Sequence, residues 1–180
     1  MRITALLLGA ALALGGCGTT ERAAVDERAL SRAFGGLSQA DVDRLKAFFS
    51  DLRTYPQDNA RLLEELDGAR RAAHARRYVR GMRGAVTAAR ARVEAAESPQ
   101  LRRELDAHLD ALDRATKAYD AAVEYEATAG PPDKAREAAL RRETRAAAAA
   151  AEAADRRLMA RIASGMDPEQ RRDFEAQLGR

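Results

Sequence analysis

Residues 75–96 read ARRYVRGMRGAVTAARARVEAA, and their spacing decides the fold. Ala75, Val79, Met82, Val86, Ala89, Val93 and Ala96 follow one another at alternating steps of four and three. Such steps keep side chains on one stripe of an α-helix, and alternating them gives the seven-residue period of helices packed side by side. A strand needs a change of face at every residue, which this stretch lacks. Around the seam the charge has one sign. Arg70, Arg71, Arg76, Arg77, Arg80, Arg83, Arg90 and Arg92 come with no acid among them, bracketed by Glu64, Glu65 and Asp67 before and Glu94 and Glu97 after.

The same helical pattern extends back to about residue 58 and forward to Ser98, roughly 60 Å if unbroken. Its first half places Leu62, Leu66, Ala69 and Ala73 on a different stripe, so the register shifts near Arg70. Gly68, Gly81 and Gly84 weaken the helix, and a bend or break is expected.

Further helices lie on both sides. Residues 20–34 form a short one ending at Gly35-Gly36, where a missing Cβ permits a left-handed stop. LSQADV opens the next, with Ser38 as N-cap, Asp41 reaching back as its box partner, and Leu37 and Val42 as the hydrophobic staple. Val42, Leu45, Phe48, Phe49 and Leu52 supply its apolar face, and Tyr55-Pro56 breaks it. Pro99 opens a helix with the seam Leu101, Leu105, His108 or Leu109, Leu112, Ala115, Tyr119 and Ala122, closed by Gly130-Pro131-Pro132. Another starts near Asp133 and runs through the alanines 146–151 to Ile162 and a stop at Ser164-Gly165. MDPEQ begins the last, with Asp167 as N-cap, Pro168 in the first turn and Gln170 as box partner, followed by Phe174 and Leu178. The expected fold is all-α, an antiparallel helical hairpin or bundle built on three long, alanine-rich, partly heptad-patterned helices.

Composition limits the core. Of 180 residues 43 are alanine, which favours helix but buries little area, and only eight are aromatic. Stability must then come from close helix packing, and a thin core of this kind calls for a partner surface, a second copy included. The formal charge of +3 gives no indication of nucleic acid.

Catalytic chemistry leaves no trace in the motifs. His74 and His108 lie on different helices, His74 expected in solvent and His108 at the seam edge, with no ligand spacing around either. No metal site or cofactor is expected. G-x-S-x-G, P-loop, H-E-x-x-H and dinucleotide-binding patterns are absent, and paired carboxylates such as Glu64-Glu65 belong to ordinary helix surfaces. The reading is of a protein that is not an enzyme. The arginine run allows two readings. Acids of the next helix, such as Asp106, Asp110 and Asp113, neutralise it, or Arg76, Arg77, Arg80 and Arg83 form a strip that binds lipid headgroups or an acidic partner.

The N-terminus carries the clearest address. Met1-Arg2 is a positive start, Ile3 to Leu14 is an apolar run of about a dozen residues, too short to span a bilayer, and LGGCGTT at 14–20 holds the single cysteine. Leu14-Gly15-Gly16-Cys17 resembles the lipobox of bacterial lipoproteins. The resemblance implies a signal peptide over 1–16, acylation of Cys17, a short tether over 17–22 and one helical domain over 23–180. An unpaired thiol in an exported chain thereby gains a reason, and two or more acyl chains give stable anchoring. After cleavage 164 residues remain, thirty basic and twenty-eight acidic, a formal +2. Gly18 stands where an Asp commonly signals inner-membrane retention in Gram-negative bacteria, so the resemblance implies an outer-membrane anchor with the domain facing the periplasm.

LSQAD at 37–41 and MDPEQ at 166–170 are similar to the LTxxQ motifs of periplasmic Spy/CpxP-type proteins, small exported helical hairpins, often dimeric, that hold unfolded clients or sense envelope damage. Ser38 and Asp167 replace the threonine, and Asp41 the first glutamine. Two functions therefore stand side by side: a membrane-anchored structural or protein-interaction module with an envelope partner, and a client-binding chaperone or stress sensor.

Overall fold

The computed structural model of the chain describes residues 27–53, 68–128, 131 and 133–178. These contain six α-helices and no strand: α1 (Glu27–Ala33), α2 (Gln39–Arg53), α3 (Gly68–Glu94), α4 (Pro99–Ala127), α5 (Lys134–Ala163) and α6 (Pro168–Leu178). The protein is all-α, as its periodicity predicts. Among the described residues no helix is long and apolar enough to cross a membrane.

Helices α3, α4 and α5 are roughly 40–45 Å long at 1.5 Å per residue. They run up, down and up, with α4 packed against both neighbours. α2 lies on α3, and the short α1 crosses the end of α5. Every residue of the predicted α3 seam from Ala75 to Ala96 is buried, as is every residue of the α4 seam. α3 continues unbroken through Gly81 and Gly84, and Ala73 is exposed rather than part of a second stripe. Leu62, Leu66 and Tyr55-Pro56 lie outside the described residues.

The core has two parts of unequal depth. All six helices meet in the larger one, where Leu45 and Phe48 of α2, Val86 and Val93 of α3, Leu101, Leu105 and Leu109 of α4, Leu158 and Ile162 of α5 and Phe174 of α6 pack together. Burying each large side chain is worth about 1.5–3 kcal/mol, so this end dominates stability. The smaller part, at the other end of α3 and α4, centres on Tyr78 and Tyr119, whose rings meet edge to face with centroids 5.9 Å apart. Sequence periodicity missed Tyr78 because it stands one position off the seam.

Local stops set the connections. Gly35 and Gly36 adopt φ of 77° and 100°, a left-handed conformation that glycine reaches without a steric penalty. The Ser164-Gly165 turn lies hard against α1. A Cβ on Gly165 would stand 2.6 Å from the backbone nitrogen of Ala33, and closer still to the carbonyl oxygen of Ala29. Only glycine lets α1 lie this near the turn, and Arg32 Nε fastens the contact by donating to the Gly165 carbonyl at 2.8 Å. At the opposite end of α5, the Tyr125 hydroxyl accepts from the Asp133 N–H and donates to the Asp133 carbonyl, both at 3.0 Å, closing the proline-rich turn.

The two expected capping boxes fare differently. At α6 the box is complete: Glu169 and Gln170 donate their N–H groups to Asp167 Oδ1, and the Asp167 N–H donates to Gln170 Oε1. At α2, Ser38 Oγ accepts the Asp41 N–H at 3.2 Å as predicted, but the Asp41 carboxylate does not reach back. It crosses to the α3–α4 turn, accepting from the N–H of Glu97 at 3.0 Å and of Ser98 at 2.8 Å, with Arg44 alongside at 2.9 Å. Aspartate is one methylene shorter than the glutamate of an ordinary box, and the N–H groups of that turn need an acceptor.

Candidate functional site

The arginine run of α3 and the outer edge of α4 face one another. On α4, Asp106, Asp110, Asp113, Lys117, Asp120 and Glu124 recur at steps of four and three, which places them along one edge. On α3, Arg76, Arg83 and Arg90 are seven residues apart and share an edge in the same way.

Because the helices are antiparallel, the two rows meet in reverse order. Arg76 holds Glu124 with two bonds, Nε to Oε1 at 2.9 Å and Nη2 to Oε2 at 3.1 Å. Arg83 pairs with Asp120. Arg90 Nη2 donates to Asp110 Oδ1 at 2.8 Å, and its Nη1 lies 3.8 Å from Asp106. The Asp110 hydrogen bond raises the Arg90 guanidinium above its ordinary value despite partial burial. Asp113 turns to Lys117 of its own helix at 2.6 Å.

This ladder engages two of the four arginines read as an anion-binding strip, Arg76 and Arg83. Arg77 and Arg80 stay exposed on the outer arc of α3, beside exposed Gly84, Thr87, Ala88 and Ala91. The side chains of Arg70 and Arg71, like Cys17, the expected acylation site, lie outside the described residues. Half-exposed pairs of this type contribute about 0–1 kcal/mol each, so the ladder selects the antiparallel register more than it stabilises the fold.

His108 is buried with the seam that the spacing assigned it to, deeper than its edge, whereas His74 does not sit in solvent as expected. His74 is buried, not solvated, because the covered arc of α3 at this end takes in positions 74 and 78 as well as 75, 79 and 82; no hydrogen bond reaches its Nε2. His108 is 2% exposed in the deep core, its ring 5.9 Å from that of Phe48 on α2. Among the described residues no three His, Cys, Asp or Glu side chains are grouped to hold a metal ion.

Asp41 is the polar residue that periodicity could not single out. At 1% exposed, it is held by two backbone donors and a guanidinium. Burial would raise its pKa, but the Glu97 and Ser98 N–H groups and Arg44 together outweigh burial and hold the carboxyl below its ordinary value. Its sequence signal, the Ser38-x-x-Asp41 spacing of a capping box, pointed to a bond within α2 and not across to the α3–α4 turn.

No protein-family model, curated protein sequence or solved structure matches the chain.

Proposed function

We propose that this chain is a lipid-anchored helical protein of the bacterial envelope, a non-enzymatic module that presents its bundle to a partner at the membrane surface. The observation that carries the reading is Leu14-Gly15-Gly16-Cys17, directly after a short apolar run that opens with a positive charge. Nine residues separate Cys17 from the start of α1, a reach of at most about 35 Å, so an acylated Cys17 keeps the bundle close to the bilayer.

Two properties of the bundle support an interaction role. Its buried polar side chains serve the fold, as Asp41 does at the α3–α4 turn, and its arginines are concentrated on the exposed arcs of α3 and α5. Those arcs bear Arg77 and Arg80 on α3 and Arg142, Arg145 and Arg157 on α5, with Arg156 paired to Glu152 of its own helix at 3.5 Å. Their positive charge suits an anionic headgroup layer or an acidic protein.

Mass spectrometry of the protein purified from bacterial membranes tests the anchor. The expected mature chain begins at Cys17 carrying acyl chains, and Cys17→Ser releases the protein from the membrane fraction. An unmodified N-terminus on the membrane-bound wild type would overturn the proposal.

A further inference from the structure

His108 is an expensive residue at its position. It lies in the middle of α4, in the deeper part of the core, with Phe48 of α2 across its ring at an interplanar angle of 61°. Neither ring nitrogen has a partner in ordinary hydrogen-bond geometry, and the Ala154 backbone and Asp155 of α5 are the polar groups that act on the ring. A leucine would fill such a site at less cost, since a buried polar ring without partners forfeits its bonds to water.

The surroundings favour the neutral ring. Burial pushes the His108 pKa down from its ordinary 6.5, with Asp155 and the Ala154 backbone of α5 opposing in part. Asp155 is the charged group that α5 turns toward it. On α2 the neighbour is the hydrocarbon ring of Phe48, and nearby charges are engaged elsewhere: Asp41 and Arg44 with the α3–α4 turn, Asp43 with Gln39, and Lys46 with Glu27 of α1. Asp106 and Asp110 of α4 face Arg90 of α3.

We propose that His108 is an acid-sensitive latch for α2: a proton taken up by its buried ring loosens α2 from its seat on α3 and from His108 of α4 and bares the apolar face of Phe48. The desolvation of an imidazolium beside an aromatic edge outweighs what Asp155 and the Ala154 backbone offer it, so the charged ring gains by reaching water, and α2 is the cover that can yield. α2 is held by one apolar face and by the Asp41 and Glu27–Lys46 bonds, whereas α4 is packed along its length by both α3 and α5. The sign follows from linkage. The closed form binds its proton less tightly than the open form, so acid favours opening, by up to tenfold in the open-to-closed ratio for each pH unit below 6.5. The latch does not depend on the envelope reading.

A tryptophan reporter tests it. Phe49, half-buried beside Phe48 on α2, is replaced by Trp in the full chain held in detergent micelles, and emission is followed from pH 8 to pH 5. The lower limit stays above the range in which Asp41 gains a proton. Emission is expected to shift to the red below pH 6.5 while far-UV helicity is retained, to stay constant in His108→Gln and to shift as before in His74→Gln. A constant wild-type spectrum, a simultaneous loss of helicity, or a shift that survives in His108→Gln would overturn the proposal. Should His108→Gln fail to fold, ¹³C-histidine NMR of the parent chain decides. The chain has two histidines, and the signal lost in His74→Gln identifies the other; a His108 titration at or above 6.5 overturns the latch, and one below 6.5 supports it.

Discussion

Asp41, in the first turn of α2, accepts the backbone N–H of Ser98, the N-cap residue of α4, at 2.8 Å across 57 positions of chain. The bond ties together two helix beginnings. Ser98 Oγ in turn accepts the Leu101 N–H, so the residue that starts α4 is itself held in place by the residue that starts α2.

Asp41→Ala is expected to destabilise the protein by about 2–4 kcal/mol, because two backbone N–H groups lose a charged acceptor inside the fold. Urea denaturation at pH 7 measures the loss. The carboxyl is held below its ordinary 3.8, so its contribution is complete above that value and disappears as pH falls through the lower folded-state value. In Asp41→Ala this part of the acid dependence should vanish, and an unchanged acid limb would mean that the bond contributes nothing in solution.

Two glycines should respond in opposite directions. Gly165→Ala forces a Cβ against the backbone of Ala29 and Ala33, which cannot rotate away as a side chain could, and a loss of about 3 kcal/mol is expected. Gly84→Ala meets open space within α3 and should stabilise by roughly 0.5–1 kcal/mol. Thermal melts of the two variants side by side check the pair, and equal melting temperatures would contradict the close approach of α1.

The arginines divide by partner. Arg76→Gln with Arg83→Gln removes two rungs of the ladder and should cost about 1 kcal/mol while leaving adsorption to anionic vesicles nearly intact. Arg80→Gln should weaken adsorption and spare the melting curve. Adsorption should also weaken between low salt and 0.15 M, where the screening length is about 8 Å. Vesicle co-sedimentation gives the answer, and a wild-type chain that ignores anionic vesicles at low salt would remove the membrane role of this face.

Val86→Asp should cost about 3 kcal/mol or more, since the side chain is 5% exposed between packed helices and a carboxylate there must be desolvated or force them apart. A wild-type melting curve would be incompatible with this packing.

Much of the fold was legible one residue at a time, because helix periodicity and caps are local. The four-three spacing from Ala75 to Ala96 marked a face that is buried at every position, and Asp167 and Gln170 form the box that their spacing implied. α3 runs unbroken through Gly81 and Gly84, since α4 packs along one side of it and supplies stability that the isolated propensity of glycine ignores, while residues 58–67 of the segment read for a bend or break lie outside the described residues.

The candidate site was legible only in outline. Arg76, Arg83 and Arg90 stood out in the sequence, but their partners were decided by the offset between α3 and α4, which brought in Asp120 and Glu124 and left Asp113 to Lys117.

By itself, then, the sequence determined the helices and their apolar stripes, because each depends on residues within a few positions of one another. The tertiary structure alone decided that Asp41 crosses to Ser98, that Gly165 admits α1, and that His108 lies against Phe48. Those relationships join residues far apart in the chain, and which distant surfaces meet is settled by the packing of whole helices against a shared core.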